Sequence, residues 1–268
     1  MKNEMLRVFL GGDVFGPVGM RCARTLLPAF LERESVDFCV VNGENATAGI
    51  GISPEDADCL FAAGVDAITG GNHSFEKRDF WPLLDANPAV LRPANFPAGV
   101  PGSGFGTFEK RGARLTVVNL QGREDMVPLD CPFAGADSIL ALLGAEGVSD
   151  SVIIVDFHAE SNEEKEALGF YLDGRVAAVG GTHTHVQTAD SRLLPKGTAY
   201  ITDLGMTGPL RSVIGSDPET AIKRNVTQVL YRMDLPDVRG ALRGLLVDID
   251  PNTRLAVAAE RVEIPEKF

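Results

Sequence analysis

Only four histidines occur in this 268-residue chain, His73, His158, His183 and His185. Each closes or follows a short apolar run: Gly71-Asn72-His73, Asp156-Phe157-His158 and Gly181-Thr182-His183-Thr184-His185. Two further runs of the same kind end in oxygen donors, Leu10-Gly11-Gly12-Asp13 and Val41-Asn42-Gly43-Glu44-Asn45. Imidazole, carboxylate and carboxamide donors without a thiolate suit Mn, Fe, Zn or Co, and not a structural cysteine-zinc site. The supply is enough for two ions. A single histidine in such a place is most often structural, but all four gathered into one kind of setting are poorly explained that way. Glu44, directly after an apolar strand and a glycine, would be partly buried without a partner unless it binds something. Other readings stay open for the rest: Asp13 could cap a helix beginning near Pro17, and Asn45 and Asn72 could stabilise turns.

The elements that must carry these residues are legible in outline. Apolar runs at Val8 to Leu10, Val36 to Val41, Val65 to Thr69, Thr116 to Leu120, Ser151 to Phe157 and Val176 to Val179 read as buried strands. Helical patterns separate them, at Val18 to Glu32, Pro54 to Ala63, Phe75 to Leu84, Ala136 to Leu143 and Asn162 to Leu172. Ser53-Pro54-Glu55 and Asp217-Pro218-Glu219 each supply a cap, a proline in the first turn and an acid, and the second opens a helix reaching about Tyr231. This alternation indicates an α/β sheet protein, in which ligands bind beyond the carboxyl ends of the strands. The five donor-bearing segments would therefore converge. His183 and His185 flank one residue and would face one side of a continuing strand, or reach two neighbouring ions from a loop. Pro93 to Gly106 reads as a long loop. Ala241 to Ile249 and Arg254 to Ile264 read as a terminal hairpin, which suggests a second sheet packed on the first.

Composition narrows the function classes. The net charge of -12 disfavours binding double-stranded nucleic acid through a basic face, but not a small phosphate ester held by cations. Cys22, Cys39, Cys59 and Cys131 form no C-x-x-C pair and read as reduced thiols. No run approaches the roughly 18 apolar residues of a membrane span, and Met1 to Arg7 has no long apolar core, so the expectation is a cytoplasmic protein with no membrane partner. Without repeats or a low-complexity linker, one domain over residues 1–268 is expected. A homo-oligomer is admitted but not required.

The motifs resemble the calcineurin-like metallophosphoesterase superfamily, in Gly12-Asp13, Gly71-Asn72-His73 and Thr182-His183-Thr184-His185. Two departures from the common pattern, Asp13-Val14-Phe15 in place of Asp-x-His and Glu44-Asn45 in place of a bridging aspartate, are similar to the bacterial YmdB-type branch of 2′,3′-cyclic-nucleotide phosphodiesterases. The likeness runs on through Asn42 to Ala46, Asp156 to Glu160, Gly181 to Thr188 and Asp203 to Pro209.

The resemblance implies an α-β-β-α four-layer sandwich with two packed mixed sheets. It implies two divalent or mixed-valence transition-metal ions, iron first and manganese next. Asp13, Glu44, Asn45 and His185 would hold one ion; Glu44 would bridge to the other, which also takes Asn72, His158 and His183. His73 would be the general acid in a hydrolysis of small phosphodiesters by metal-activated hydroxide. The alternatives are a nucleotide phosphomonoesterase and a regulatory metal-binding protein with little catalysis. Weaker candidates are Asp156 and Glu160 as partners orienting a ligand imidazole, and Arg123 as a phosphate contact. A serine hydrolase lacks support, since Gly102-Ser103-Gly104 is no nucleophile elbow.

Overall fold

The computed structural model describes residues 5–145, 150–232 and 234–267, so Met1 to Glu4 of the amino-terminal stretch lie outside the described residues. In chain order the strands are β1 (Leu6–Val14), β2 (Phe38–Asn42), β3 (Ala67–Thr69), β4 (Phe105–Lys110), β5 (Ala113–Gln121), β6 (Val152–His158), β7 (Ala178–Thr182), β8 (Arg192–Leu193), β9 (Ala199–Ile201), β10 (Met206–Pro209), β11 (Gly240–Ile249) and β12 (Ala256–Pro265). The helices are α1 (Gly16–Arg33), α2 (Pro54–Ala62), α3 (Trp81–Ala86), α4 (Pro132–Ala145), α5 (Asn162–Leu172) and α6 (Pro218–Thr227).

The strands form two six-stranded mixed sheets, ordered β12-β11-β10-β1-β2-β3 and β4-β5-β6-β7-β9-β8. Alternation along each strand sorts its side chains into layers. Leu115 and Val117 of β5 turn inward to meet Val8, Leu10 and Val40 of the first sheet, whereas Val118 and Leu120 turn outward onto Ile139, Leu143 and Leu168 of α4 and α5. On the opposite outer face, Phe9, Val41 and Ile68 pack against Leu27, Phe30 and Leu60 of α1 and α2. The result is the α-β-β-α sandwich with two packed mixed sheets.

Four local expectations need correction. The terminal hairpin does not found the second sheet; it completes the first, with β11 antiparallel to β1 from Leu6↔Ile249 to Gly11↔Gly244. A Cβ on Gly244 would lie 2.2 Å from the Leu10 carbonyl oxygen, so glycine is what lets the two backbones close. The helix expected to reach Tyr231 stops at Thr227, where Gln228 takes a left-handed φ of 58° and its N–H caps Arg224 O. Residues 75–77, expected to be helical, form a turn, followed by a 3₁₀ turn at Arg78–Phe80; α3 starts only at Trp81, with Pro82 in its first turn. The long loop after Pro93 gives way to β4 at Phe105.

Candidate metal centre

In both sheets the parallel strands end at the same rim. β1, β2 and β3 of the first sheet deliver Asp13, Glu44 with Asn45, and Asn72 with His73; β6 and β7 of the second deliver His158 and the His183-Thr184-His185 segment. At the seam, His158 Nε2 stands 3.0 Å from Glu44 Oε1, 2.9 Å from Asn72 Oδ1 and 3.0 Å from His183 Nδ1. Glu44, His158 and His183 form the tight donor cluster among the described residues. The other predicted residues lie beside it. Asp13 Oδ2 accepts from the His183 N–H at 3.2 Å, and its Oδ1 is 3.9 Å from His158 Nδ1. His185 Nε2 faces Asn45 Oδ1 at 3.3 Å. The His73 N–H donates to Glu44 Oε2 at 2.9 Å, which places His73 next to the cluster with its side chain outside it.

Each imidazole has one nitrogen tied by an outer partner, which leaves the other nitrogen of His158, His183 and His185 for the centre. His158 Nδ1 meets Thr182 Oγ1 at 3.0 Å, and the Thr182 hydroxyl donates to Asp156 Oδ1 at 2.7 Å. A carboxylate can only accept, so the hydroxyl proton points to Asp156 and His158 must carry its proton on Nδ1 towards Thr182. His183 Nε2 lies 3.1 Å from Glu160 Oε2, and His185 Nδ1 lies 2.9 Å from the Ile214 carbonyl oxygen. His73 Nδ1 lies 3.2 Å from Glu76 Oε1. Such outer partners fix the tautomer and ring direction of metal-binding histidines. Asp156 is further held by Thr69 Oγ1 and by Asn42 Nδ2 at 3.1 Å, and Asn45 Nδ2 donates to Gly49 O at 3.1 Å.

Local backbone makes these approaches feasible. A Cβ on Gly71 would stand 2.3 Å from Glu44 Oε2 and 2.4 Å from His158 Nε2, so only glycine leaves the cradle open. His183 and His185 hold left-handed backbones, φ 100° and 66°; the first ring meets His158 and Glu160, the second Asn45 and the Ile214 carbonyl oxygen. Non-glycine residues in this region are strained and cluster at functional sites.

The electrostatics fit a cation. Burial alone would lower the His158 pKa, but the charge and hydrogen bond of Glu44, with Asp13 and Asp156 behind, raise it to about 9. Burial would raise Glu44, yet His158 holds it down to about 2. Burial and the His158 charge depress His183 to about 3, and burial lifts Asp13 to about 6 against the pull of His185 and His158. Without a metal, His158 is thus the charged group balancing two buried carboxylates. Asp13 Oδ1 is buried and has no hydrogen-bond partner. An orphaned carboxylate oxygen beside imidazole nitrogens, of which His158 would give up its proton to a cation, is a donor set that fits a transition-metal ion.

Reading by sequence missed Thr182, Glu76, the Ile214 carbonyl and the Lys165–Asp203 pair. Glu76 had a signal, three residues after His73. Arg123 stands exposed, with its N–H on Glu164 Oε2 at 2.9 Å.

Two packed mixed sheets whose strand ends gather such donors at one rim define a metallophosphoesterase. The model of the YmdB-like protein family matches residues 9–262, and the chain belongs to that family. It is 45% identical, over 97% of both chains, to the 2′,3′-cyclic-nucleotide 2′-phosphodiesterase of Bacillus subtilis (strain 168). Among solved structures it is similar to a hypothetical protein from Thermus thermophilus (38% identity, TM-score 0.90, 98% of this chain and 100% of that one). It is also similar to a novel phosphatase of Mycoplasma pneumoniae (33% identity, TM-score 0.90, 98% of this chain and 95% of that one).

Proposed function

We propose that the protein hydrolyses 2′,3′-cyclic nucleotides at a two-ion centre, opening the ring at the 2′ ester to leave a 3′-phosphate. The observation that carries this reading is the approach of His158 Nε2 to Glu44 Oε1, Asn72 Oδ1 and His183 Nδ1 within about 3 Å. The substrate class comes from the activity for which the Bacillus subtilis relative is named.

In this reading Asp13, Glu44, Asn45 and His185 would hold one ion, and Glu44, Asn72, His158 and His183 the other, with iron preferred and manganese second. The bound cations supply positive charge that makes water a nucleophile near neutral pH and neutralises the phosphoryl oxygens. The chain's own residues do the rest. Glu160, Thr182 and the Ile214 carbonyl keep the ligand rings aimed. Glu76 engages Nδ1 of His73, which leaves Nε2 to give its proton to the departing ribose O2′ as water's oxygen joins phosphorus. The remaining water proton returns to His73.

The shared core of Val8, Leu10, Val117 and Ile154 between the sheets supports a single domain. All four cysteines are free, as suits the reducing cytoplasm; no described helix is long and apolar enough to cross a membrane.

The test is turnover of 2′,3′-cyclic AMP and bis-p-nitrophenyl phosphate by purified, metal-loaded protein. Wild-type release of product, lost in Asp13→Asn, supports the reading. Release of phosphate from 3′-AMP in preference to ring opening would shift it to a phosphomonoesterase, a reading favoured by the likeness to the Mycoplasma phosphatase. No turnover of any of these esters would leave a metal-binding protein without this catalysis.

A further inference from the structure

Behind the His183-Thr184-His185 segment lies an ion pair sealed from solvent. Lys165, in the first turn of α5, is 1% exposed, and its Nζ donates to Oδ2 of the fully buried Asp203 at 2.7 Å. The same Oδ2 accepts from Thr184 Oγ1 at 2.8 Å and from the Thr184 N–H at 3.2 Å, while Oδ1 accepts from the Gly205 N–H at 2.7 Å. Gly205 O accepts from the Asp13 N–H at 3.1 Å, and the Met206 N–H donates to His185 O at 3.2 Å. The path of the lysine is built in. A Cβ on Gly181 would lie 2.9 Å from Lys165 Cδ and 1.9 Å from Thr202 O, so the stem runs through space that only glycine leaves.

A buried ion pair is a poor route to stability, since apolar residues of similar volume do as well or better. Its use is better sought in geometry. Thr184 is the residue between the two imidazoles, and both of its neighbours hold strained left-handed backbones that persist only where the surroundings over-determine them. We propose that Lys165 and Asp203 are positioning residues: they pin Thr184, and through it hold His183 and His185 apart, one towards each half of the metal centre. Asp203 does the holding, and Lys165 balances the charge of a carboxylate that accepts four hydrogen bonds in a site without water access. The inference rests on the two-ion reading above.

The experiment is chelator competition with Mn²⁺-loaded protein, beside thermal denaturation, for wild type, Lys165→Met, Asp203→Asn, Thr184→Val and Thr184→Ser. Loss of such outer partners costs about 10–100-fold in metal affinity. That loss is expected for Lys165→Met and Asp203→Asn, with a smaller loss for Thr184→Val. Thr184→Ser, which keeps the hydroxyl, should hold metal as wild type does. Thr184→Val retains the ion pair and so reports even if Lys165→Met fails to fold. Ile139→Val in α4, a core change away from the centre, should lower Tm without moving the chelator midpoint. Wild type that takes up no metal overturns the two-ion reading and this inference with it. Wild type that binds metal, alongside Thr184→Val and a folded Lys165→Met that bind it equally well, overturns the pinning alone.

Discussion

His158 Nε2 and Glu44 Oε1 lie 3.0 Å apart across the seam between the two sheets, both buried. The imidazole comes from the end of β6 and the carboxylate from just beyond β2. Glu44 raises His158 to about 9 and His158 holds Glu44 down to about 2, so without a cation the imidazole keeps its proton, and on the two-ion reading proposed above that proton would have to leave.

The sign of the resulting pH dependence follows. His158 is raised from 6.5 to about 9, so its contribution to the stability of the metal-free protein is present below pH 6.5 and is lost as pH rises through about 9. A metal ion competes with the same proton, so apparent affinity should climb about tenfold per pH unit across that window. Calorimetric titration with Mn²⁺ in two buffers of different ionisation enthalpy should register the released proton. Affinity that is flat from pH 6.5 to about 9 would contradict it.

Gly71→Ala should fold and yet fail to hold metal, because the new methyl overlaps Glu44 Oε2 and His158 Nε2. Displacements near 1 Å cost about 100-fold in turnover, so kcat/KM should fall by at least that much. Metal content and circular dichroism separate this from unfolding. Gly144→Ala, in α4 with open space around it, is the matched control and should gain about 0.5–1 kcal/mol of stability.

Thr182→Val removes the hydroxyl that links His158 Nδ1 to Asp156 while keeping the side chain's volume. A drop in metal affinity of about 10–100-fold is expected, with Thr182→Ser close to wild type. Equal affinity for all three proteins would show that His158 needs no such partner.

His73 and His158 should differ in kind. His73→Ala should keep both metals and lose about 10²–10⁴-fold in turnover, as expected for a general acid. His158→Ala should lose an ion outright. Elemental analysis decides, and an empty centre in His73→Ala would refute the division of roles.

The donors are legible without the fold because histidine is rare in this chain and all four stand at strand ends. Alternation of apolar strands and helices likewise carries the α/β class, while the four-layer sandwich is legible only through the family resemblance. What cannot be read is whatever depends on non-local pairing. The hairpin of β11 and β12 shows no sign in its own residues that it will pair with β1, more than 200 residues earlier. Lys165 looks like a solvated helix residue until Gly181 and Asp203 are brought to it, and Thr182 looks like a spacer until Asp156 lies beneath. The helix after Asp217 reads too long in sequence because the left-handed stop at Gln228 carries no glycine to announce it.

The pairing of β1 with β11 has a last consequence for how a living cell makes this protein. β1 leaves the ribosome more than 200 residues ahead of the strand it must pair with. Asp13, past the end of that pairing, lies instead between Asn42 of β2 and Met206 of β10, so part of its setting also arrives nearly 200 residues later. A chain cut before β11 would leave the Leu6 to Gly11 stretch of β1 without its antiparallel neighbour, and an exposed strand edge is a template for pairing with another chain.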